Sequence, residues 1–298
     1  MFARPGLPSF DYVRAKTLDE AVRILQEHGG AARPVMGGTD LFTNMRDGKL
    51  HPHVVVDVKG LPGMQQIAYD AREGLTVGAA VTMNSLAAHP DVAAHYPLLA
   101  QAAGAVASYQ LRNRATLGGN LCNASPCADT APATLVLDAQ FILHGPSGER
   151  RLPAAVFFRG PGQTGLQPGE MMTAIHFPPA PEQATARYLK LGRCRSGDLS
   201  LVGVAVMVYY KAAPAPWGAY TFRIGLGSVA PTPLRASEAE EFLAASEPGE
   251  ETFALAAERA MAAARPITDV RGTATYQRAM VRTLTLRALR HAWAQLVF

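Results

Sequence analysis

Pro34-Val-Met-Gly-Gly-Thr-Asp-Leu41 follows a short run, Arg33 to Met36, that reads as a strand, so its glycine pair sits where that strand ends. Glycine admits positive φ and lets the main chain approach a ligand closely, so consecutive amides can converge on an anion without a lysine. A second pair occurs in Thr116-Leu-Gly-Gly-Asn120. Two such bends predict one diphosphate held between them. Neither has the G-x-G-x-x-G spacing of a Rossmann turn or the G-x-x-x-x-G-K-[ST] of a P-loop, so the common nucleotide folds are not supported.

Working outward from the first pair, Thr17-Leu-Asp-Glu20 is a capping box, and Leu18, Ala21, Val22 and Leu25 recur at helical spacing until Gly29-Gly30. His53 to Val58 reads as a buried strand, which completes a small βαβ-like lobe over residues 1–60. Residues 61–178 form a second lobe. Gln66 to Tyr69 and Leu75 to Ala79 predict a hairpin, and helices follow over 82–89 and 97–107. After the basic loop Leu111-Arg-Asn-Arg114 come a helix over 128–137, a strand pair turning at Gly145-Pro-Ser-Gly148, and a closing strand, Met172 to Phe177. Pro178-Pro-Ala-Pro181 continues neither a helix nor a ladder and marks a boundary. Residues 182–298 then give strands at 186–192, 200–210 and 219–228, followed by helices at 237–245, 252–264 and 275–293, an antiparallel sheet with helices on one side. The fold class is α+β.

The chain has 298 residues, enough for more than one core. Its formal charge of +4 is spread without a basic stripe, which argues against nucleic acid. No apolar stretch approaches the roughly 20 residues of a membrane span, and the opening residues lack a signal core, so a cytoplasmic location is expected. The three cysteines, Cys122, Cys127 and Cys194, form no disulfide framework and are too few for an iron–sulfur cluster, which normally takes four thiolates. Cys122 and Cys127 lack a histidine pair for zinc, and Cys194, between Arg193 and Arg195, has no general base nearby. His176 reads as a tolerated sheet residue. Asp40 and Asp129 each admit two readings, a helix cap or a cofactor contact.

Five ordered blocks then carry a family resemblance: Gly37-Gly-Thr-Asp40; Gln110-Leu-Arg-Asn-Arg-Ala-Thr-Leu-Gly-Gly-Asn-Leu-Cys-Asn-Ala-Ser-Pro-Cys-Ala-Asp129; Phe157-Phe158 through Thr164-Gly-Leu166; Tyr188-Leu-Lys190 leading to Asp198; and Gly227-Ser-Val-Ala-Pro-Thr-Pro233. Over nearly its whole length the chain resembles the flavin-binding subunit of the molybdenum hydroxylases, the xanthine dehydrogenase and aerobic carbon monoxide dehydrogenase family. The resemblance implies a two-lobed FAD-binding domain of the vanillyl-alcohol oxidase type, followed by a C-terminal α+β domain. It implies that Val35, Met36, Gly37, Gly38, Thr39, Asp40 and Leu41, with Thr116, Leu117, Gly118, Gly119 and Asn120, contact the FAD diphosphate and its neighbours. Asp129 would hydrogen-bond the cofactor, Leu166 and Lys190 would lie beside the isoalloxazine, and Val106 would also make contact.

The same resemblance implies an electron-transfer role. A large partner would carry the molybdenum cofactor, a small partner two-iron iron–sulfur clusters, and NAD, dioxygen or another acceptor would reoxidise the flavin, in a dimer of heterotrimers. The Arg193, Arg195 and Asp198 segment reads either as a solvated loop or as a gate near the flavin. Two other functions stay open, a free-standing flavin oxidoreductase with its own pocket and a non-redox nucleotide-binding module. The first needs an acid or base beside the flavin, and no His, Tyr or Cys is placed there.

Overall fold

A computed structural model describes residues 6–194, 196–211 and 219–297. The first lobe runs β1 (Asp11–Arg14), α1 (Leu18–His28), β2 (Ala32–Val35), α2 (Leu41–Arg46) and β3 (Val54–Asp57). Its strands form a parallel sheet in the order β1-β3-β2. The capping box is present in shifted form. Thr17 Oγ1 accepts from the Glu20 amide at 3.1 Å, while Glu20 reaches one residue past the cap to accept from the Lys16 amide at 2.7 Å. Ala21, Val22, Ile24 and Leu25 bury one face of α1, and Gly29 ends it at φ +50. β3, with Val54 to Asp57 all buried, lies in the centre as its unbroken apolar run demands.

The second lobe opens with the expected hairpin, β4 (Ile67–Asp70) and β5 (Gly74–Gly78). A run of short helices follows: α3 (Met83–Ala88), α4 (Pro90–His95), α5 (Pro97–Ala105), α6 (Tyr109–Arg112), α7 (Leu117–Cys122) and α8 (Thr130–Val136). The lobe closes with β6 (Gln140–Gly145), β7 (Gly148–Pro153), α9 (Ala154–Phe157), β8 (Phe158–Gly160), β9 (Gln163–Thr164) and β10 (Met171–Phe177). Its main sheet is antiparallel in the order β4-β5-β10-β6-β7, so the last strand inserts at the centre. Two sequence expectations change here. Leu111 and Arg112 belong to helix α6, not a loop, because Ser108 caps it by accepting from the Leu111 amide at 3.3 Å. The second glycine pair lies inside helix α7.

Beyond the prolines, β11 (Thr185–Leu191), β12 (Val202–Tyr210), β13 (Tyr220–Gly227) and β14 (Leu234–Arg235) make an antiparallel sheet in that order. α10 (Ser237–Ala244), α11 (Glu250–Ala263) and α12 (Ala274–Val297) complete the chain. β12 shows the period of two that places its neighbours. Val202, Val204, Val206 and Val208 pack with the helices, whereas Ala205 and Met207 join Ala186 and Tyr188 in the core of the second lobe. The C-terminal sheet is therefore buried on both faces, and Tyr188 and Lys190 on β11 point toward the second lobe.

Candidate functional site

A cleft of about 990 Å³ runs between the lobes, within the range of cofactor sites. One wall is the loop after β2. Gly38 has φ +74, a left-handed conformation that other residues adopt at a cost. Gly37 is pressed against the second lobe so closely that a Cβ there would lie 2.2 Å from the Arg114 carbonyl oxygen. The loop's carbonyls are used: Gly38 accepts from the Phe42 amide at 3.1 Å, Thr39 from the Thr43 hydroxyl at 2.7 Å and Asp40 from the Asn44 amide at 2.8 Å. Its donors are not. The amides of Gly37, Gly38, Thr39, Asp40 and Leu41 find no acceptor among the described residues. Amides in a glycine bend and at the start of a helix have no partner within the helix, and these five belong to residues that line one cleft, so together they offer a site for anionic oxygens.

The opposite wall is built differently from the expectation. Thr116 caps α7, its hydroxyl accepting from the Gly119 amide at 3.2 Å. The Leu117 amide donates to Val81 O at 3.0 Å, Gly118 to Ala79 O at 2.9 Å and Asn120 to Thr116 O at 3.0 Å. No free amide remains from Leu117 to Asn120, so this segment is a packed helix start and not a second nest. Thr116, Gly119 and Asn120 line the cleft. Leu117 and Gly118 do not; Leu117 is fully buried, and a Cβ on Gly118 would meet Ala79 Cβ at 2.5 Å. Asn120 is fixed by the Thr130 hydroxyl, which donates to its Oδ1 at 2.6 Å.

Val35 through Leu41, Val106, Asp129 and Leu166 also line the cleft, whereas Lys190 stands behind Asp129. Its ammonium donates to Asp129 Oδ2 at 2.8 Å, Ala105 O at 2.9 Å and Asp198 O at 3.0 Å, which uses all three N–H groups. Asp129 Oδ1 accepts from the Tyr188 hydroxyl at 2.8 Å. Burial raises the Asp129 pKa, opposed by Lys190 and Tyr188, and burial with Asp129 nearby pushes the Tyr188 phenol well up. Lys190 is thus a positioning cation for Asp129, not a wall residue. Neither Asp40 nor Asp129 caps its helix through the side chain, so the capping reading fails for both. Burial raises the Asp40 pKa.

Asn44, Lys49 and Leu50, which carry no signature in the sequence, line one end, and Gly197 and Leu199, on either side of the block residue Asp198, line another with it. Asp198 accepts from Arg193 at 3.1 Å, and that guanidinium holds its carboxyl well below the usual range. Arg195 lies outside the described residues. Cys122 and Cys127 both line the cleft; burial pushes the Cys122 thiol up to about 12, and Arg271 donates to Cys127 Sγ at 2.9 Å. His176 is a sheet residue, its Nδ1 3.1 Å from the Thr76 hydroxyl. No group of three or more His, Cys, Asp or Glu among the described residues could hold a metal ion, and no described helix is long and apolar enough to cross a membrane.

Residues 8–180 match the family model described as the FAD binding domain in molybdopterin dehydrogenase, and residues 187–292 match the CO dehydrogenase flavoprotein C-terminal domain. The carbon monoxide dehydrogenase medium chain of Hydrogenophaga pseudoflava is 35% identical over 97% of this chain and 98% of its own length. A putative xanthine dehydrogenase FAD-binding subunit of Escherichia coli is 30% identical over 95% and 96%. Among solved structures, a carbon monoxide dehydrogenase from Hydrogenophaga pseudoflava superposes with a TM-score of 0.91 over 97% of this chain and 99% of the other, at 35% identity. Quinoline 2-oxidoreductase from Pseudomonas putida 86 superposes at 0.90 over 99% and 100%, at 27% identity. With the loop, the cleft and these matches in place, the chain belongs to the family of FAD-binding subunits of molybdenum-containing dehydrogenases, which are oxidoreductases.

Proposed function

We propose that this chain is the electron-transfer subunit of a heteromeric molybdenum hydroxylase, holding FAD in the cleft with the diphosphate on the amides of Gly37 to Leu41. The observation that carries this reading is the set of five donors without acceptors. The protein fits the cofactor: glycine at 37 and 38 keeps the loop free of side chains, and Gly119 leaves the facing wall open. Val106, Thr116, Asn120, Asp129 and Leu166 would hold the remainder of the molecule. Bound FAD supplies a centre that takes up electrons singly or in pairs.

The chain's own residues argue for electron transfer and against substrate chemistry. No His or Tyr is among the described residues that line the cleft; two thiols are, contrary to the sequence expectation, but burial pushes the Cys122 pKa up and Arg271 engages Cys127. Of the four described lining carboxylates, Asp129 is held by Lys190 and Tyr188, Glu170 by Arg150 and Asp198 by Arg193, so none of these three is poised as a general base, and the fourth, Asp40, sits on the loop assigned here to the diphosphate. Electrons would come from iron–sulfur clusters on a small partner subunit, substrate being hydroxylated at the molybdenum cofactor on a large one, and NAD, dioxygen or another acceptor would remove them. Residues 1–60 and 61–178 would form the two FAD lobes, with 182–298 as the C-terminal domain, in a dimer of heterotrimers.

The test is to purify the complex from its source, release and identify the flavin, and follow flavin absorbance anaerobically on adding reducing substrate. The reading requires one FAD per chain, reduced only when the partners are present. A flavin-free chain, or an isolated chain that turns over a reducing substrate briskly, contradicts it.

A further inference from the structure

Two residues stand behind the cleft wall and reach it through a third. Tyr188 and Lys190 lie two apart on β11, so their side chains leave the same face of the strand. Both end on Asp129, the phenol donating to Oδ1 at 2.8 Å and the ammonium to Oδ2 at 2.8 Å. One carboxylate is thus gripped at both oxygens by one strand of the C-terminal sheet. The strand itself is pinned to the second lobe, because the Tyr188 amide donates to Gln101 Oε1 of α5 at 2.9 Å. An ionised carboxylate has about four lone-pair sites. With a donor behind each oxygen, Asp129 can still accept from a ligand in the cleft that it lines.

The two grips do different work. Lys190 supplies the opposite charge that a carboxylate with a 6% exposed side chain needs. A single donor on Oδ2 would leave the group free to turn about its Cβ–Cγ bond and leave buried Oδ1 open to a proton. Tyr188 closes both routes, and a phenol whose pKa is pushed well up stays a donor throughout the neutral range. The sheet makes room for that hydroxyl: Gly203 pairs with Lys190 on the neighbouring strand, and a Cβ there would lie 2.7 Å from Tyr188 Oη. On the other elements packed around Asp129, Cys127 carries Arg271 on its sulfur, Asp198 is paired with Arg193, Arg112 lies on the Val106 carbonyl, and Cys122 ends α7.

Resting on the electron-transfer reading above, we infer that Tyr188 is a positioning residue for the cofactor: its hydroxyl turns Asp129 and keeps it an acceptor, so that the carboxylate takes a hydrogen bond from an N–H or O–H group of bound FAD. Tyr188 does not itself line the cleft. Acting through Asp129, it favours a ligand that presents a donor at this point and disfavours one that presents an acceptor, because two facing acceptors would leave buried lone pairs unpaired. The C-terminal sheet, and not the two lobes alone, then completes the FAD site.

The test is the FAD affinity of the full chain, followed by flavin fluorescence from about pH 5 to about pH 8, with urea midpoints checking that each variant folds. A group that must be deprotonated to hold a ligand costs up to about tenfold in affinity for each pH unit below its pKa. Tyr188→Phe removes one donor from the carboxylate and favours its protonation. The fall in affinity should therefore begin at higher pH than in wild type, with the two proteins closest at the alkaline end. Gly203→Ala, which crowds the hydroxyl without removing it, should move the profile the same way and serves where Tyr188→Phe folds poorly. Adding Tyr188→Phe to Asp129→Asn should cost little beyond Asp129→Asn alone, since the hydroxyl acts through the carboxylate. An unchanged profile, a loss by the same factor at every pH, binding that tightens as pH falls, or fully additive losses each overturn the assignment. Failure of the electron-transfer reading shows in the wild type instead, as a chain that holds no FAD or a complex whose FAD no partner reduces.

Discussion

Gly118 and Gly119 are adjacent yet do different work. Gly118 lets α7 pack on Ala79, and Gly119 keeps the cleft wall bare. Gly118→Ala should destabilise the fold by about 1–3 kcal/mol through overpacking, lowering the denaturant midpoint with or without FAD. Gly119→Ala should weaken FAD binding with a smaller effect on apo stability than Gly118→Ala, because the helix preference of alanine offsets the shift forced on the Thr116 hydroxyl, which a Cβ there would meet at 2.8 Å. Flavin retention on gel filtration and urea titrations separate the two outcomes. Lys190→Met makes a third case: it leaves Asp129 buried and unpaired, at a cost of about 3–5 kcal/mol. That cost should shrink as pH falls, because a protonated Asp129 no longer needs the cation. Urea titrations of this variant and the wild type at two pH values check the sign, and Asp129→Asn with Lys190→Met should recover much of the loss.

At the scale of elements, the loop after β2 was legible because strand, glycine pair and helix follow one another without long-range help. Helix α7 was not. Two consecutive glycines are poor helix formers, and only Thr116 together with the carbonyls of Ala79 and Val81 overrides that preference. The partners of Lys190 were not legible for a related reason: its acceptors Ala105 and Asp129 are far away in sequence. Helix α4 escaped the pattern because six residues opening on a proline carry too little periodicity. Lys49 and Leu199 reach the cleft through tertiary packing that no local pattern records, whereas Asp198 lies in the segment for which the sequence left open a loop or a gate.

The loop at 192–199 makes its own prediction. Asp198 has a depressed pKa, chiefly through its hydrogen bond from Arg193, so its stabilising contribution is present above the unfolded value, about pH 4, and is lost as pH falls below it. Asp198→Asn should flatten that part of the acid limb, read from urea midpoints at and below pH 4 against the wild type. An unchanged acid limb would mean the Arg193 contact does not hold this loop in solution.

On the scale of the whole molecule, three sheets converge on one cleft. The parallel lobe supplies free amides, the five-stranded lobe a wall with its amides already engaged, and the C-terminal sheet the buried Tyr188 and half-buried Lys190 that hold Asp129 at the far end. The order of the elements in each lobe could be read from hydrophobic period and turn residues, whereas the inequality of the two glycine motifs emerges only when the lobes are brought together. That inequality is the central claim, and hydrogen–deuterium exchange of the chain with and without FAD tests it most directly. FAD should strongly protect the amides of Gly37 to Leu41 and change those of Leu117 to Asn120 little, since the latter are already bonded. Protection confined to Leu117 to Asn120, with Gly37 to Leu41 still exchanging freely, would contradict the account.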